Sequence, residues 1–224
     1  MEDLEMHALK KMELAPWIQK ATALIGNNRN VGGNQFRHCM AAMIILIDYH
    51  FIDSVMLKAS ITHDLLEDSD KVTPAELMLI DDDSPAVLAL VNELTHNKLT
   101  ETKEEYFDRL VNNSSPQAKI VKLADRISNL TDLHLFVFSK EKTEHILEQT
   151  EEFIYPMIEN LLGSGLPEKQ AMMVQEMKRE IHDLVAVRRH YLEEFSNFES
   201  VRYLIARKLQ HIGSRITNHD NHNE

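Results

Sequence analysis

The sequence predicts an all-α protein, and both its composition and its patterning support that prediction. The chain holds only six glycines and six prolines in 224 residues. This is about half of average usage, so the many tight turns of an all-β fold are disfavoured. No segment sustains the alternation of polar and apolar residues that a half-buried strand requires. Helix starts, by contrast, are recognisable at several points along the chain.

Three predicted helix starts combine a capping residue with a proline. Thr73–Glu76 has the capping-box pattern, with proline after the threonine and glutamate three residues on. Ser84–Pro85 and Ser115–Pro116 repeat the cap and the proline ahead of apolar-periodic segments. Residues 39–47, CMAAMIILI, predict a helix buried on most sides. The preceding residues 26–34 hold three of the six glycines, which predicts a loop with unusual backbone geometry.

A glycine- and proline-containing break at residues 163–167 predicts the domain organisation. We expect one domain over residues 1–162 and a helical extension over residues 163–224. The extension has two amphipathic segments, roughly 167–192 and 197–213, and ends in a polar segment that we expect to be frayed. Packing of the extension on the same domain is favoured over a dimer interface, so a homo-oligomer is the alternative.

The net charge of −12 disfavours a nucleic-acid polymer as partner, because proteins that bind one carry a basic surface. A negatively charged protein can still bind a small phosphorylated molecule. Such a protein then needs a local source of positive charge, such as a metal ion or a cluster of arginines and lysines.

Cysteine content and hydropathy together predict a cytoplasmic protein. The single cysteine, Cys39, cannot form an internal disulfide, which fits a reducing compartment. We expect it to be a small core residue that points away from its neighbour His38. The longest apolar run, residues 40–47, falls far short of the ~20 residues that span a bilayer. The acidic N-terminus lacks the basic start and apolar stretch of a signal peptide.

Residues 63–68, HDLLED, are the first segment with distinctive chemistry. On a helix that turns about 100° per residue, the two leucines point toward a core and the ionisable residues share one side: His63, Asp64, Glu67 and Asp68. Neighbouring carboxylates repel one another unless a cation lies among them. Imidazole and carboxylate together suit a divalent ion of borderline to hard character. The alternative is a solvated acidic helix end.

Residues 119–132, KIVKLADRISNLTD, predict a second helix that contributes to the same chemistry. Its polar stripe places two cations and an amide around one carboxylate: Lys122, Asp125, Arg126 and Asn129. Its apolar stripe can be buried in a core and comprises Ile120, Leu123, Ile127 and Leu130. The arrangement suits one metal ligand beside groups that hold phosphate. The alternative is an amphipathic helix stabilised by ion pairs between adjacent turns.

His38, at the start of the apolar run, completes a candidate ligand set. Alone, such a histidine is more often a core or capping residue. Together with His63, Asp64 and Asp125 it supplies two nitrogens and two oxygens from separate helices. This set suits one octahedral ion with about two positions open for water and substrate.

These residues resemble the H…HD…D signature of the HD-domain metal-dependent phosphohydrolases. Within that superfamily, residues 63–68 and 114–133 look like the branch that hydrolyses ppGpp, which includes the RelA/SpoT hydrolase domains and the small alarmone hydrolases. The forms typical of that branch, HD-(x)₂-ED and KLADR/K-(x)₂-N, are both present. Residues 97–99 and 151–161 resemble further elements of it, and the resemblance spans about residues 18–162.

The resemblance implies a Mn²⁺ ion held by four residues: His38, His63, Asp64 and Asp125. It implies that Glu67 and Asp68 position and deprotonate the attacking water. It also implies that Asn129 contacts the nucleoside and Arg29 packs against guanine. From the polar stripe we infer that Lys122 and Arg126 steady the pyrophosphate.

The implied activity is metal-dependent hydrolysis of the 3′-pyrophosphate of (p)ppGpp to GDP or GTP and pyrophosphate. No synthetase domain is expected, because too few residues follow the break at 163–167.

The loop before His38 departs from the pattern of the family. Asn30 stands where a cation is typical, Asn34 replaces a proline and Gln35 replaces a tyrosine. These changes motivate an alternative, a nucleotidase or phosphatase that acts on a different phosphorylated nucleotide. A helical interaction module with a vestigial site is the alternative that is not an enzyme.

Overall fold

The structure is a computed structural model that describes residues 3–30, 33–133 and 140–194. Within these ranges it is all-α, as predicted, with one isolated β-bridge between Asn28 and Asn34. The α-helices are, in chain order, α1 Asp3–Lys11, α2 Ala15–Ala21, α3 Gln35–Asp48, α4 Ser54–Thr62, α5 Leu65–Asp68, α6 Pro74–Leu77, α7 Ser84–Leu94, α8 Lys103–Asn112, α9 Pro116–Asp132, α10 Lys140–Gln149, α11 Tyr155–Leu162 and α12 Glu168–Glu194. A 3₁₀ turn, Thr22–Gly26, follows α2, and a π turn, Thr150–Ile154, joins α10 to α11.

The predicted helix starts are confirmed at α6 and α9. Thr73 and Glu76 form the complete capping box, and Ser115 accepts a hydrogen bond from the Ala118 N–H. The start of α7 differs, because Ser84 lies inside the helix and its hydroxyl accepts from the Asp81 N–H at 3.1 Å. The N-cap position of α7 is occupied by Asp83 instead.

Helices α3, α4 and α9 pack together at the centre of the fold, and α7 packs against α4 and α9. The predicted apolar stripe of α9 is buried: Ile120, Leu123, Ile127 and Leu130. The apolar run in α3 is buried less completely than expected, since Ile44 is 51% exposed. Burial therefore follows one face of α3, the face that α4 and α9 cover.

The loop at residues 26–34 has the unusual geometry that its composition predicts. Gly33 has a positive φ of 70°, in a backbone region that residues other than glycine rarely adopt. The Arg29 N–H donates to the Gly33 carbonyl at 3.2 Å. Asn34 then caps α3 by accepting from the Arg37 N–H at 2.9 Å, so the loop delivers the chain directly into the helix that carries His38.

The break at residues 163–167 separates α11 from α12, and Gly165 has a φ of 82°. The described residues up to 186 belong to one compact unit, and the described residues from 187 onward belong to a second. The second predicted amphipathic segment, 197–213, and the polar C-terminal segment lie outside the described residues. The domain boundary at 162/163 stays a prediction. Among the helices of the described residues, none has the length and hydropathy that crossing a bilayer requires.

Candidate metal centre

Two imidazoles and two carboxylates converge where α3, α9 and the turn between α4 and α5 meet. His38 Nε2 lies 2.9 Å from Asp125 Oδ1 and 3.8 Å from Asp64 Oδ2. His63 Nε2 lies 3.1 Å from Asp64 Oδ2 and 3.8 Å from Asp125 Oδ1. The structure therefore brings together all four residues that the sequence singled out as ligands.

The local backbone around the HD pair differs from the predicted helix over residues 63–68. Helix α4 ends at Thr62, His63 and Asp64 form a turn, and α5 begins at Leu65. Both turn residues keep backbone angles in the right-handed helical region, and Leu65 is fully buried. Because both residues keep near-helical angles, the break leaves their side chains adjacent, and both reach the point where His38 and Asp125 meet.

His63 provides a test of whether these side chains fit a metal ion. Its Nδ1 donates to the Ser60 carbonyl at 2.7 Å, so Nδ1 carries the proton in the neutral ring and Nε2 holds the lone pair. That Nε2 is buried and has no hydrogen-bond partner, although it faces Asp64 and Asp125. A buried nitrogen left without a partner beside two carboxylates is what an imidazole ligand requires, and the donor set fits a divalent ion.

The charges of the cluster depend strongly on one another. Burial by itself would lower the pKa of His63, but the Asp64 carboxylate, with weaker contributions from Cys39 and Asp125, raises that pKa well above its usual range. Burial opposes ionisation of Asp64, yet the charge of His63 lowers the Asp64 pKa. A proton on His63 thus supplies a positive charge that stabilises the neighbouring carboxylates. A divalent ion that binds here must displace this proton.

Hydrogen bonds from neighbouring side chains orient three of the four candidate ligands. The Gln35 side-chain amide donates to Asp64 Oδ2, and the Asn129 amide donates to Asp125 Oδ1 at 2.6 Å. His38 Nδ1 lies 2.9 Å from Ser128 Oγ. Such contacts fix the direction in which a ligand's free lone pair points. Sequence reasoning missed these roles of Gln35 and Ser128, although each lies three residues from a predicted ligand on the same helix.

Cys39 does not point away from the site, contrary to expectation. Its Sγ lies 3.9 Å from Asp64 Oδ2, and Cys39, His63 and Asp64 are close enough to share an ion. Cys39 follows His38 in α3, and its side chain points toward Asp64 at the start of α5 rather than into the apolar core. Burial raises the pKa of the Cys39 thiol, which keeps it protonated and makes it a weaker ligand than the carboxylates.

The two acidic residues of α5 lie in different environments. Glu67 accepts a hydrogen bond from the His96 N–H at 3.3 Å and pairs with Lys98 at 3.0 Å, so the predicted element at 97–99 does contact the site. Asp68 is solvent-exposed and forms no salt bridge with any other described residue. Partial desolvation, with the negative charges of Asp64 and Glu67, raises the pKa of Asp68 to about 6.

The predicted substrate residues lie around the cluster. Arg29 contacts Asp132 at 2.5 Å and Asn129 at 2.6 Å, so both residues predicted to meet the nucleoside are adjacent. Lys122 pairs with Asp125 Oδ2 at 2.6 Å, which lowers the pKa of Asp125 against the effect of burial. Arg126 is buried beside them, with 6% of its surface exposed.

A helical fold that gathers these imidazoles and carboxylates defines the class of HD-domain metal-dependent phosphohydrolases. No protein-family profile matches the chain. Individual proteins, however, are similar to it in sequence. The mouse guanosine-3′,5′-bis(diphosphate) 3′-pyrophosphohydrolase MESH1 is 31% identical over 135 residues, which cover 58% of this chain and 72% of the mouse protein. The human MESH1 gives the same identity and coverage, and the Drosophila melanogaster protein is 34% identical over 94 residues, covering 41% of this chain and 51% of the relative.

The fold comparison agrees with the sequence comparison. A solved structure described as a metazoan ortholog of SpoT that hydrolyses ppGpp superposes with a TM-score of 0.56. It has 23% sequence identity and covers 80% of this chain and 96% of its own. The chain belongs to the MESH1 family of HD-domain hydrolases.

Proposed function

We propose that this protein hydrolyses the 3′-pyrophosphate of ppGpp and pppGpp, releasing pyrophosphate and GDP or GTP, with Mn²⁺ as the bound ion. The observation that carries the proposal is the convergence of His38, His63, Asp64 and Asp125 within a family whose named members are ppGpp 3′-pyrophosphohydrolases. The two carboxylates suit Mn²⁺, the ion that the family resemblance implies.

His38, His63, Asp64 and Asp125 would hold the ion. When bound, a divalent ion lowers the pKa of a coordinated water and neutralises phosphoryl oxygens. The chain's own contribution is to orient these ligands, through Gln35, Ser128 and Asn129, and to supply a proton acceptor nearby.

Asp68 is the side chain best suited to accept the proton of the attacking water. Its pKa of about 6 lies close to neutral pH, where an acceptor is both ionised and basic. The water oxygen bonds to the phosphorus attached to O3′, and the bond from that phosphorus to O3′ breaks. The water proton passes to Asp68 and is returned from Asp68 to O3′, which leaves as a hydroxyl, so that Asp68 is ionised again at the end of the reaction. Glu67, held by Lys98 and the His96 N–H, positions the water.

We assign the nucleoside to Arg29 and Asn129 and the pyrophosphate to Lys122 and Arg126. Arg29 and Asn129 are in direct contact, and Asn129 also donates to Asp125. The nucleoside would therefore be held next to the ligand carboxylate, on the side of the loop at 26–34.

Product analysis tests the proposal. The purified protein is incubated with ppGpp, pppGpp and control nucleotides, with and without Mn²⁺, and pyrophosphate and nucleoside diphosphate are quantified. His63→Ala and Asp64→Ala should lose bound metal and turnover, whereas Glu67→Gln and Asp68→Asn should keep the metal and lose turnover. Asp70→Asn removes a nearby exposed charge and serves as the control. Unchanged rates in both Glu67→Gln and Asp68→Asn would contradict the water-activation assignment.

A second candidate is hydrolysis of a different phosphorylated nucleotide. Two of the departures in the loop, Asn34 and Gln35, are engaged within the protein, one capping α3 and the other bonded to Asp64. Each side chain therefore has one polar group committed inside the protein, which leaves it fewer groups with which to recognise a guanine base. In the same screen, ppGpp turnover no faster than that of the other nucleotides rejects the first proposal in favour of this one. Absence of both bound metal and any phosphohydrolase activity would favour a non-enzymatic role.

A further inference from the structure

A second group of possible metal ligands overlaps the first, and we name it the thiol set: Cys39, His63 and Asp64. Its three donor atoms, a sulfur, a ring nitrogen and a carboxylate oxygen, all lie within 4.8 Å of one another. Cys39 and His63 are buried, whereas the Asp64 side chain is 19% exposed, so an ion can reach the set from the Asp64 side. The thiol set shares His63 and Asp64 with the four predicted ligands and has sulfur in place of His38 and Asp125.

The distances in the thiol set fit a tetrahedral zinc ion. Bonds to Zn²⁺ are about 2.3 Å long from sulfur and about 2.0–2.2 Å long from nitrogen or oxygen. At tetrahedral angles these bonds place the sulfur about 3.6 Å and the nitrogen about 3.4 Å from the carboxylate oxygen. Asp64 Oδ2 lies 3.9 Å from Cys39 Sγ and 3.1 Å from His63 Nε2. Each distance differs from its ideal value by about 0.3 Å, which small side-chain rotations remove.

His63 Nε2 is the observation that distinguishes a ligand site from a cysteine packed in the core. This nitrogen is buried and has no hydrogen-bond partner, while Nδ1 of the same ring donates to the Ser60 carbonyl. The unprotonated nitrogen of an imidazole has a single lone pair and binds one ion at a time. An ion in the thiol set therefore excludes an ion held by all four predicted ligands.

Charge and ligand softness determine which ion each set prefers. One thiolate and one carboxylate balance the charge of a divalent ion, as a buried site requires. Thiolate sulfur is a soft ligand that favours Zn²⁺, whereas carboxylate oxygen suits Mn²⁺. The Cys39 thiol is a weak ligand for a hard ion, but Zn²⁺ displaces the thiol proton to solvent and binds the thiolate.

We propose that Cys39, His63 and Asp64 form a zinc site that competes with the Mn²⁺ centre, so that Zn²⁺ inhibits the enzyme by taking His63 and Asp64 from Mn²⁺. The competition rests on the proposed function, which assigns Mn²⁺ to the four predicted ligands. The H…HD…D signature contains no cysteine. The zinc site is therefore a property of this chain, which has sulfur directly after the first histidine of that signature.

Cobalt absorption spectroscopy of the full-length protein tests the sulfur ligand directly. Co²⁺ takes the place of Zn²⁺ at such sites, and a thiolate bound to it gives a charge-transfer band in the near ultraviolet. The chain has one cysteine, so this band can come only from Cys39. Cys39→Ser should abolish the band, whereas Met40→Leu, which removes the neighbouring sulfur of α3, should leave it unchanged. Zn²⁺ added to the cobalt-loaded protein should remove the band.

Metal titrations measure how strongly Cys39 selects zinc. Even outer-shell partners contribute about 10- to 100-fold to metal affinity, so the loss of a direct sulfur ligand in Cys39→Ser should weaken Zn²⁺ binding about 100-fold. Mn²⁺ binding should change far less, because Mn²⁺ keeps its four ligands. Circular dichroism confirms that the variant is folded, and Cys39→Ala replaces it if the buried hydroxyl prevents folding.

Electron paramagnetic resonance of Mn²⁺ measures the competition. One equivalent of Zn²⁺ should release Mn²⁺ from the wild type, and release from Cys39→Ser should need a much higher Zn²⁺ concentration. Zn²⁺ inhibition of Mn²⁺-dependent hydrolysis should weaken in parallel in this variant. Binding of both ions at the same time at full occupancy would refute the competition.

The zinc site and the assigned reaction fail separately. Absence of the charge-transfer band from the wild type overturns the zinc site, as does equal Zn²⁺ affinity in the wild type and Cys39→Ser. A band that depends on Cys39, in a protein that does not hydrolyse ppGpp with Mn²⁺, would support the zinc site and refute the reaction. Hydrolysis of ppGpp without the band would support the reaction and refute the zinc site.

Discussion

Asp68→Asn should stabilise the metal-free protein above neutral pH while it abolishes turnover. The pKa of Asp68 is raised from its usual 3.8 to about 6 by desolvation, Asp64 and Glu67. Folding therefore disfavours the ionised carboxylate, and the neutral, nearly isosteric amide removes that cost.

The sign and size of the effect follow from proton linkage. Below pH 3.8 the Asp68 carboxyl is protonated in both the folded and the unfolded protein, so its ionisation costs no folding free energy. This cost grows as the pH rises and is complete above about 6. A shift of about two pKa units corresponds to at most ~3 kcal/mol. Because Asp68 is solvent-exposed, screening reduces this, and we expect a gain of about 1 kcal/mol.

Urea unfolding with chelator present measures the effect at about pH 8 and about pH 5. The gain in the free energy of unfolding should be seen at the higher pH and shrink at the lower one. Asp70→Asn, which removes an exposed charge two residues away, is the control and should show no comparable gain. The reasoning is refuted if Asp68→Asn is no more stable than the wild type at the higher pH, or if the gain is the same at both.

Three further predictions concern the metal centre and the core. Gln35→Leu removes the amide that holds Asp64 and should weaken Mn²⁺ binding about tenfold or more in an equilibrium titration; an unchanged dissociation constant would show that Gln35 does not orient the ligand. Saturating Mn²⁺ at about 100 times its dissociation constant should raise the unfolding free energy by ~2.7 kcal/mol, and His63→Ala should eliminate that increase. Leu123→Ala, at a fully buried position of α9, should cost ~2–5 kcal/mol in urea unfolding without metal; a loss under ~1 kcal/mol would contradict the packing described.

The helices of the centre could be predicted because their signals are local. Helix α9 carries its cap at Ser115, its proline and its apolar stripe within one continuous segment, and it folds as those signals indicate. The break at His63 and Asp64 was not predicted, because a turn with near-helical backbone angles leaves the periodicity of the sequence almost unchanged.

The contacts that support the site could not be predicted in the same way. Ser128 reaches His38 across 90 positions of the chain, and this contact exists only because α3 packs on α9. The position of Cys39 beside Asp64 likewise depends on how α3 meets the turn before α5. Lys122 of α9 lies 5.8 Å from the centre of the Tyr106 ring of α8, and this contact likewise follows from the packing of α8 on α9.

Sequence alone predicted the helical class and singled out the four candidate ligand side chains and the acidic pair that follows two of them, because capping, periodicity and side-chain chemistry are properties of short segments. Tertiary packing decided which nitrogen of His63 faces Asp64 and Asp125 and which carboxyl has its pKa raised. Those properties depend on burial and on charges brought within a few ångströms, and only the folded chain creates either.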